Sequence, residues 1–271
     1  MTKRSIAALA ACLLLACAAG GASRAAAADP SEAAAHVAAA DAALAGFDLD
    51  RAVADYRSAH DLAPHSAETA WKLSRALIYQ AMLTKDAAEE RALCVAAAAL
   101  ARDAIAADPA SAMGHTMLAV ADGRLADRER DNGRKIALAR EIWSEANKAL
   151  QADPDQDLAL HVLGMWNRGV AEVNPLILLA AQLLYGRLPP ASFDASVGYL
   201  RRAADLKPEA VAHHVELGVT LMKAGQRDEA RAQLELGLSL PEKQVIDGYY
   251  RTLARRGLRR LDDRPPPGPK P

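Results

Sequence analysis

The chain has 271 residues, of which 51% are hydrophobic and only 4% aromatic. Lysine and arginine (33) almost balance aspartate and glutamate (34), for a net charge of −1. That balance excludes the basic signature of a nucleic-acid-binding protein, and the wealth of alanine predicts helices that pack closely through small side chains.

The N-terminus reads as an export signal. Lys3 and Arg4 precede an uncharged run from Ser5 to Ser23 rich in Ala and Leu, a short basic region followed by an apolar one. Two cleavage readings compete. Leu14-Leu15-Ala16-Cys17 resembles a bacterial lipoprotein box, in which Cys17 becomes lipidated and N-terminal. Alternatively, Ala25 to Ala28 offers small residues to ordinary signal peptidase, leaving Asp29 first. A retained membrane anchor is the third reading, since the run is near the lower length limit for spanning. Cys12 and Cys17 fall in this segment, so Cys94 is the one thiol certain to remain in the mature domain. A single thiol forms no internal disulfide, and Cys94 is expected to be a small buried hydrophobe.

Asp29-Pro30-Ser31-Glu32 opens the first helix with a cap, a proline at the first helical position and a capping-box glutamate. A motif then recurs. Ala59…Pro64, Ala104…Pro109, Ala149…Pro154 and Ala203…Pro208 each place an alanine five residues before a proline, and the first three prolines are 45 residues apart. A small residue at a helix crossing followed by a proline beyond the helix end marks a stacked helix-pair repeat. Ala52, Tyr56, Ala59 and Pro64 have the spacing of a tetratricopeptide second helix. Residues 211 to 244 form the clearest repeat, with His214, Leu217, Gly218 and Leu221 on one stripe and Gly225 at the turn. The 45-residue units exceed the usual repeat of about 34 residues, which predicts longer helices or turns, with Asp127 to Asn132 as a polar inter-helix turn.

The last interval, Pro154 to Pro208, holds an insertion. Pro175 to Tyr185 reads PLILLAAQLLY, too short to span a bilayer and apolar on nearly every side. Such a helix is expected to be buried, plugging or covering the superhelix, so Leu179→Asp is expected to unfold the domain. Residues 242 to 261 read as a capping helix packed through Ile246, Tyr250 and Leu253, with Arg251, Arg255, Arg256, Arg259 and Arg260 in water. The tail from Arg264, RPPPGPKP, is expected to be extended.

Three stretches carry a more specific likeness. They are Trp71-Lys72-Leu73-Ser74-Arg75-Ala76; His161-Val162-Leu163-Gly164-Met165-Trp166 followed by Ala171-Glu172; and Tyr185-Gly186-Arg187-Leu188-Pro189-Pro190-Ala191-Ser192-Phe193 leading to Tyr199 and Ala203. Their order and spacing, insertion included, resemble the regulator of microtubule dynamics family over roughly residues 65 to 240. His115 matches a histidine of that family, and Met117 stands where the family often has an aromatic. The resemblance implies a divergent tetratricopeptide domain. It also implies an association with membrane contact sites and microtubules and, in one branch, with phospholipid binding and transfer. An exported protein would not meet tubulin, so the fold transfers more safely than the function.

No Walker-type phosphate loop, GxSxG elbow or HExxH helix occurs, and no catalytic residue is assigned. Glu209, His213, His214 and Glu216 invite a metal reading, but His214 lies in the packing stripe, so no metal or cofactor is expected. Trp71, Trp143 and Trp166 are the large anchors, either filling inter-helix gaps or lining the groove. Arg75 and His161 stand about a turn from Trp71 and Trp166, and an arginine facing an apolar pocket can hold a carboxylate or phosphate; the alternative is an Arg paired to a neighbouring acid.

The expectation is one all-α, tetratricopeptide-like superhelix over residues 29–261, with about five helix pairs, an apolar insertion and a capping helix. It lies between a signal (1–28) and a Pro-rich tail (262–271). The candidate binding residues are Trp71, Arg75, His115, His161, Trp166 and Tyr185, with Cys17 for lipidation. The expected function is a non-enzymatic scaffold binding a protein or peptide in the cell envelope, with membrane attachment through the N-terminus. The alternative is a carrier of a phospholipid, fatty acid or other hydrophobic ligand; no nucleic acid is expected as a partner.

Overall fold

The computed structural model describes residues 30–263. The export signal, Cys17 and the tail from Arg264 lie outside the described residues. Twelve helices occur among the described residues, and ten of them form five antiparallel pairs. The pairs are α1 (Pro30–Ala45) with α2 (Leu49–Leu62), α3 (Ala67–Leu83) with α4 (Ala87–Ala107), and α5 (Ala112–Arg128) with α6 (Asn132–Ala152). They continue as α7 (Asp157–Ala171) with α9 (Phe193–Leu206) and α10 (Val211–Lys223) with α11 (Arg227–Ser239). Helix α8 (Pro175–Tyr185) interrupts the fourth pair, and α12 (Asp247–Asp263) closes the stack against α10 and α11, ending two residues past the expected limit.

The recurring Ala…Pro motif is a turn built the same way four times. Ala59, Ala104, Ala149 and Ala203 are fully buried, and each carbonyl accepts the backbone N–H of the residue four later: Ala63, Asp108, Asp153 or Lys207. Those four residues precede the prolines and are driven out of the helical region, with φ between −143° and −134°. Two of the helices that follow begin on a serine cap: Ser66 accepts from the Thr69 N–H and Ser111 from the Gly114 N–H. The long period comes from long helices. The α3–α4 and α5–α6 pairs have 17 and 21 residues, against 13 and 13 in α10–α11.

Within a pair, glycine sets the closest approach. A β-carbon at Gly164 would lie 2.5 Å from Leu200 Cγ, and one at Gly218 would lie 2.7 Å from Leu234 Cγ. Cys94 is buried in the second pair, the small buried hydrophobe expected. The turn from α5 to α6 falls at residues 129–131, inside the polar stretch expected to make it.

The insertion departs from expectation. No residue of α8 is buried, and Leu176 (77%), Leu183 (77%) and Leu184 (75%) are among the most exposed hydrophobic side chains described. Pro175–Tyr185 therefore does not plug the superhelix. The cause is direct pairing of α7 with α9: Leu200 already fills the space over Gly164, leaving no room for a helix between them. Helix α8 instead lies on α6, where the Tyr185 ring comes within 3.1 Å of a β-carbon placed on Gly133. The chain returns through Gly186 at φ 99°, a left-handed conformation beside the Arg140 guanidinium that disfavours any larger residue. Two further details differ. Trp143 is 36% exposed and so is not a core anchor. Arg251 is half-buried because its guanidinium donates to the Leu240 carbonyl and pairs with Glu242 at 3.3 Å.

Two variants check this packing by thermal unfolding. Leu179→Asp should melt near the wild-type temperature, because a half-exposed side chain (56%) keeps its charge in water. Gly164→Val should lose about 1–3 kcal/mol, the usual cost of overpacking a filled contact.

Candidate functional site

Helix α3 carries Trp71, Arg75 and Tyr79 at four-residue spacing, which sets them on one side. The Arg75 guanidinium lies over the Trp71 ring at 5.1 Å and reaches the Tyr56 hydroxyl at 3.4 Å. Its Nε is buried and has no hydrogen-bond partner among the described residues. Tyr56 donates to Asp41, which also accepts from Lys72 at 2.6 Å. Burial raises the Tyr56 pKa and the hydrogen bond to Asp41 adds to the rise. Burial also pushes Asp41 up, but the bonds from Lys72 and Tyr56 bring it below the usual carboxylate range.

Tyr79 reaches across the superhelix. Its hydroxyl donates to Gln244 Oε1 at 3.1 Å, a contact between residues 165 positions apart. Leu44, Ala45, Arg75, Tyr79, Lys243, Gln244 and Val245 line a cavity of about 240 Å³ where the end of α1, helix α3 and the α11–α12 connection meet. That connection is held by Asp247, whose buried carboxylate accepts the N–H groups of Lys243 and Gln244, each at 2.8 Å.

Beyond this cavity, ion pairs line the inner side. Glu90 receives Arg124 at 2.6 Å and Arg128 at 2.7 Å. Arg168 on α7 pairs with Glu216 on α10 at 2.7 Å and donates to Thr220 at 3.1 Å, with all three side chains buried. Asp127 is exposed at the end of α5, where partial desolvation by the neighbouring protein raises its pKa despite the nearby Arg124 and Arg168.

Four histidines are engaged in hydrogen bonds between helices. His115 Nδ1 contacts Glu145 at 2.6 Å and its Nε2 donates to the Pro109 carbonyl at 3.1 Å. His214 repeats the arrangement with Gln233 at 2.8 Å and the Pro208 carbonyl at 2.8 Å. Each histidine stands six residues after its repeat proline, so aligning the turns would have revealed the pair. His161 and His213 meet Nδ1 to Nδ1 at 2.9 Å, and His213 continues to Asp157 at 2.8 Å. Burial, with the His213 and Arg168 charges, holds the His161 pKa well below its ordinary value. Burial raises Asp157, but the bonds from His213 and Lys207 pull its pKa down to about 2. Among the described residues no group of three or more His, Cys, Asp or Glu is arranged to hold a metal ion.

The candidate residues therefore separate. Arg75 lines the cavity, and Trp71 stands behind it with its ring against the Arg75 guanidinium. His115 and His161 are buried in helix seams, Trp166 donates its indole N–H to the Ala139 carbonyl at 2.7 Å, and Tyr185 sits on the outlying α8. Tyr79, Lys243 and Gln244 were not singled out from sequence; Tyr79 continues the Trp71–Arg75 stripe, but the other two arrive from the far end of the chain.

A family model described as Regulator of microtubule dynamics protein 1-3 matches residues 36–262. Regulator of microtubule dynamics protein 1 of Bos taurus is 28% identical over 200 residues, covering 73% of this chain and 63% of the relative. The Homo sapiens protein of that name is 26% identical over 190 residues, covering 69% and 60%. The chain thus matches somewhat less than two thirds of the length of these relatives. Among solved structures, TTC0263, a thermophilic TPR (tetratricopeptide-repeat) protein from Thermus thermophilus, superposes with a TM-score of 0.60 at 18% identity, over 83% of this chain and 98% of that one. At that identity the likeness concerns the fold, and it is a tetratricopeptide one.

One buried acid gives a pH test. Asp122 is 1% exposed, one of its oxygens lacks a hydrogen-bond partner, and Arg102 stays 3.8 Å away. Burial, with the Glu141 charge, raises its pKa from 3.8 to about 7. Between those values the folded state binds more protons than the unfolded state, so this group's contribution to stability falls as pH rises from about 4 to 7. Asp122→Asn should flatten that decline and be more stable than wild type at pH 8 by on the order of a few kcal/mol, read from urea unfolding at pH 4, 6 and 8.

Proposed function

The chain belongs to the regulator of microtubule dynamics family, and from that premise we propose that it is a non-enzymatic scaffold whose inner groove binds a protein or peptide partner in the cell envelope. The fold itself is that of a protein-binding repeat. The observation that carries the reading is the cavity at Arg75, where two cations, Arg75 and Lys243, stand beside the Tyr79 hydroxyl and the Gln244 amide. Such a set suits a carboxylate on a peptide, held by charge and directed hydrogen bonds. At about 240 Å³ the cavity is below the roughly 300–1,000 Å³ usual for a drug-sized ligand and far too small for a two-chain phospholipid. His161, the other group expected at a lipid pocket's mouth, is buried against His213. Both facts favour a scaffold over a carrier.

The envelope location rests on Lys3, Arg4 and the uncharged run that follows them. The link to microtubules belongs to the relatives' names, and an envelope partner would be a different protein.

Photo-crosslinking in the native cell tests the proposal. A benzophenone amino acid replacing Tyr79 should capture a defined protein, while the same group replacing Trp143 on the outer surface should not. Arg75→Glu should lower the Tyr79-position yield at least tenfold without changing the fold. Equal capture from both positions, or a yield indifferent to Arg75→Glu, would sink the groove as the binding site. Stoichiometric phospholipid in an organic extract of the purified chain would replace the scaffold with a carrier.

A further inference from the structure

We propose that α8 and the cations around its C-terminal end form a docking surface for an anionic lipid bilayer. The proposal concerns the outer face of the protein and is independent of what the groove binds.

Leu176, Ile177, Leu179, Leu183 and Leu184 are between 56% and 77% exposed, so one short helix gathers five large aliphatic side chains in water. At 100° per residue they span a wide outward arc with Ala180 at its middle, and Leu178, Ala181 and Gln182 turn inward. The two polar side chains of the helix lie off this arc: Gln182 accepts the Leu188 N–H at 3.3 Å, and Tyr185 turns its ring onto Gly133 of α6. The outward arc therefore presents no hydrogen-bonding side chain at all.

That composition distinguishes between occupants. A specific protein interface carries roughly one hydrogen bond per 100–200 Å² and is anchored by Trp, Tyr and Arg, with Leu under-represented among its hot spots. The outward arc of α8 has the reverse: leucine and isoleucine without a directional group. A second copy of the chain is also a poor fit, because eleven residues make a helix about 16 Å long and about 10 Å across, a footprint on the order of 200 Å² against the roughly 800 Å² per partner of a standard interface. A bilayer needs no directional contact and accepts aliphatic side chains at any angle. The helix is too short to cross it, and no helix of the described residues is long and apolar enough to do so; the geometry is that of a segment lying in the interface.

The charge around the helix agrees. The Arg140 guanidinium lies against Gly186, immediately after α8, and Arg187 follows. The Tyr185 ring rests on Gly133, with Arg130 and Lys135 exposed on either side of it in the chain. None of these four cations makes an ion pair among the described residues. The nearby acids are engaged: Glu129 pairs with Arg134 at 3.2 Å and accepts the N–H groups of Arg130 and Asp131, and Asp131 caps α6 through the Arg134 N–H. Unpaired cations beside an apolar patch match anionic headgroups above an acyl layer.

The test uses the full chain with vesicles of phosphatidylcholine alone or with a third of phosphatidylglycerol. Because the N-terminal apolar run can bind lipid by itself, a local readout is required. The indole added by Leu183→Trp should be quenched by brominated acyl chains, and the spectrum of the unmodified chain subtracts the three native tryptophans. In flotation, Leu176→Ser/Leu183→Ser/Leu184→Ser should bind anionic vesicles at least tenfold more weakly than wild type while melting at the same temperature. Arg140→Glu/Arg187→Glu, or added salt, should weaken binding to the anionic vesicles alone. An unquenched indole together with equal flotation of the triple serine variant would overturn the proposal. So would an unquenched indole in a chain that sediments as a dimer until those serines are introduced, which would make α8 a contact between copies.

Discussion

Where α7 crosses α9 and α10 crosses α11, the absence of a β-carbon at Gly164 and Gly218 lets Leu200 and Leu234 approach closer than any side chain would allow. The buried alanines that end α2, α4, α6 and α9 make the same kind of approach at the turns. Small side chains bury little area each, so the stack is stable only because the contact recurs, each pair lending a face to the next. Leu234 shows the dependence most directly. It is wedged between Gly218 of the last pair and Gly257 of α12, where a β-carbon would come within 2.8 Å, so the cap is seated by the device that builds the repeats.

What was legible in the sequence follows from how local the physics is. The Ala-to-Pro turn is a matter of a few residues: a helix end, an extended pre-proline residue and a new helix, readable without knowing what lies beside it. Five pairs, a cap and an insertion were therefore visible. The surroundings of α8 were not. A helix apolar all round is normally covered, and nothing in PLILLAAQLLY reveals that Leu200, fifteen residues past its end, already occupies the interior. The site was half legible for the same reason. Trp71, Arg75 and Tyr79 repeat at one helical spacing, but Lys243 and Gln244 reach them only because the superhelix turns far enough to bring its last connection over its second pair.

Inside the superhelix the chain buries charge where it could have buried leucine. The Arg168–Glu216 pair joins helices 48 residues apart and is completed by Thr220. Such a pair gains little net stability over apolar side chains, and removing one partner is costly. Its physical consequence here is directional: hydrogen bonds fix the rotation of α7 against α10 in a way that alanine packing does not. The same holds for Asp157, His213 and His161, which tie the fourth pair to the fifth. A groove meant to recognise a partner benefits from walls held at a set angle, since ordering them on binding would cost affinity.

The outer face follows the opposite logic. Five exposed aliphatic side chains on α8, each worth roughly 1.5–3 kcal/mol when buried, leave a large stabilisation unrealised among the described residues, and the direct pairing of α7 with α9 leaves no room for the helix between them. The groove offers charge and directed hydrogen bonds, whereas α8 offers area without direction; one surface cannot serve both kinds of partner. Seating α8 in a bilayer would recover that stabilisation and confine the groove to the membrane surface. There its encounter with any membrane-associated partner is governed by a local concentration instead of the bulk one. A lipid on Cys17 would act in the same direction, adding a second membrane contact to that of α8.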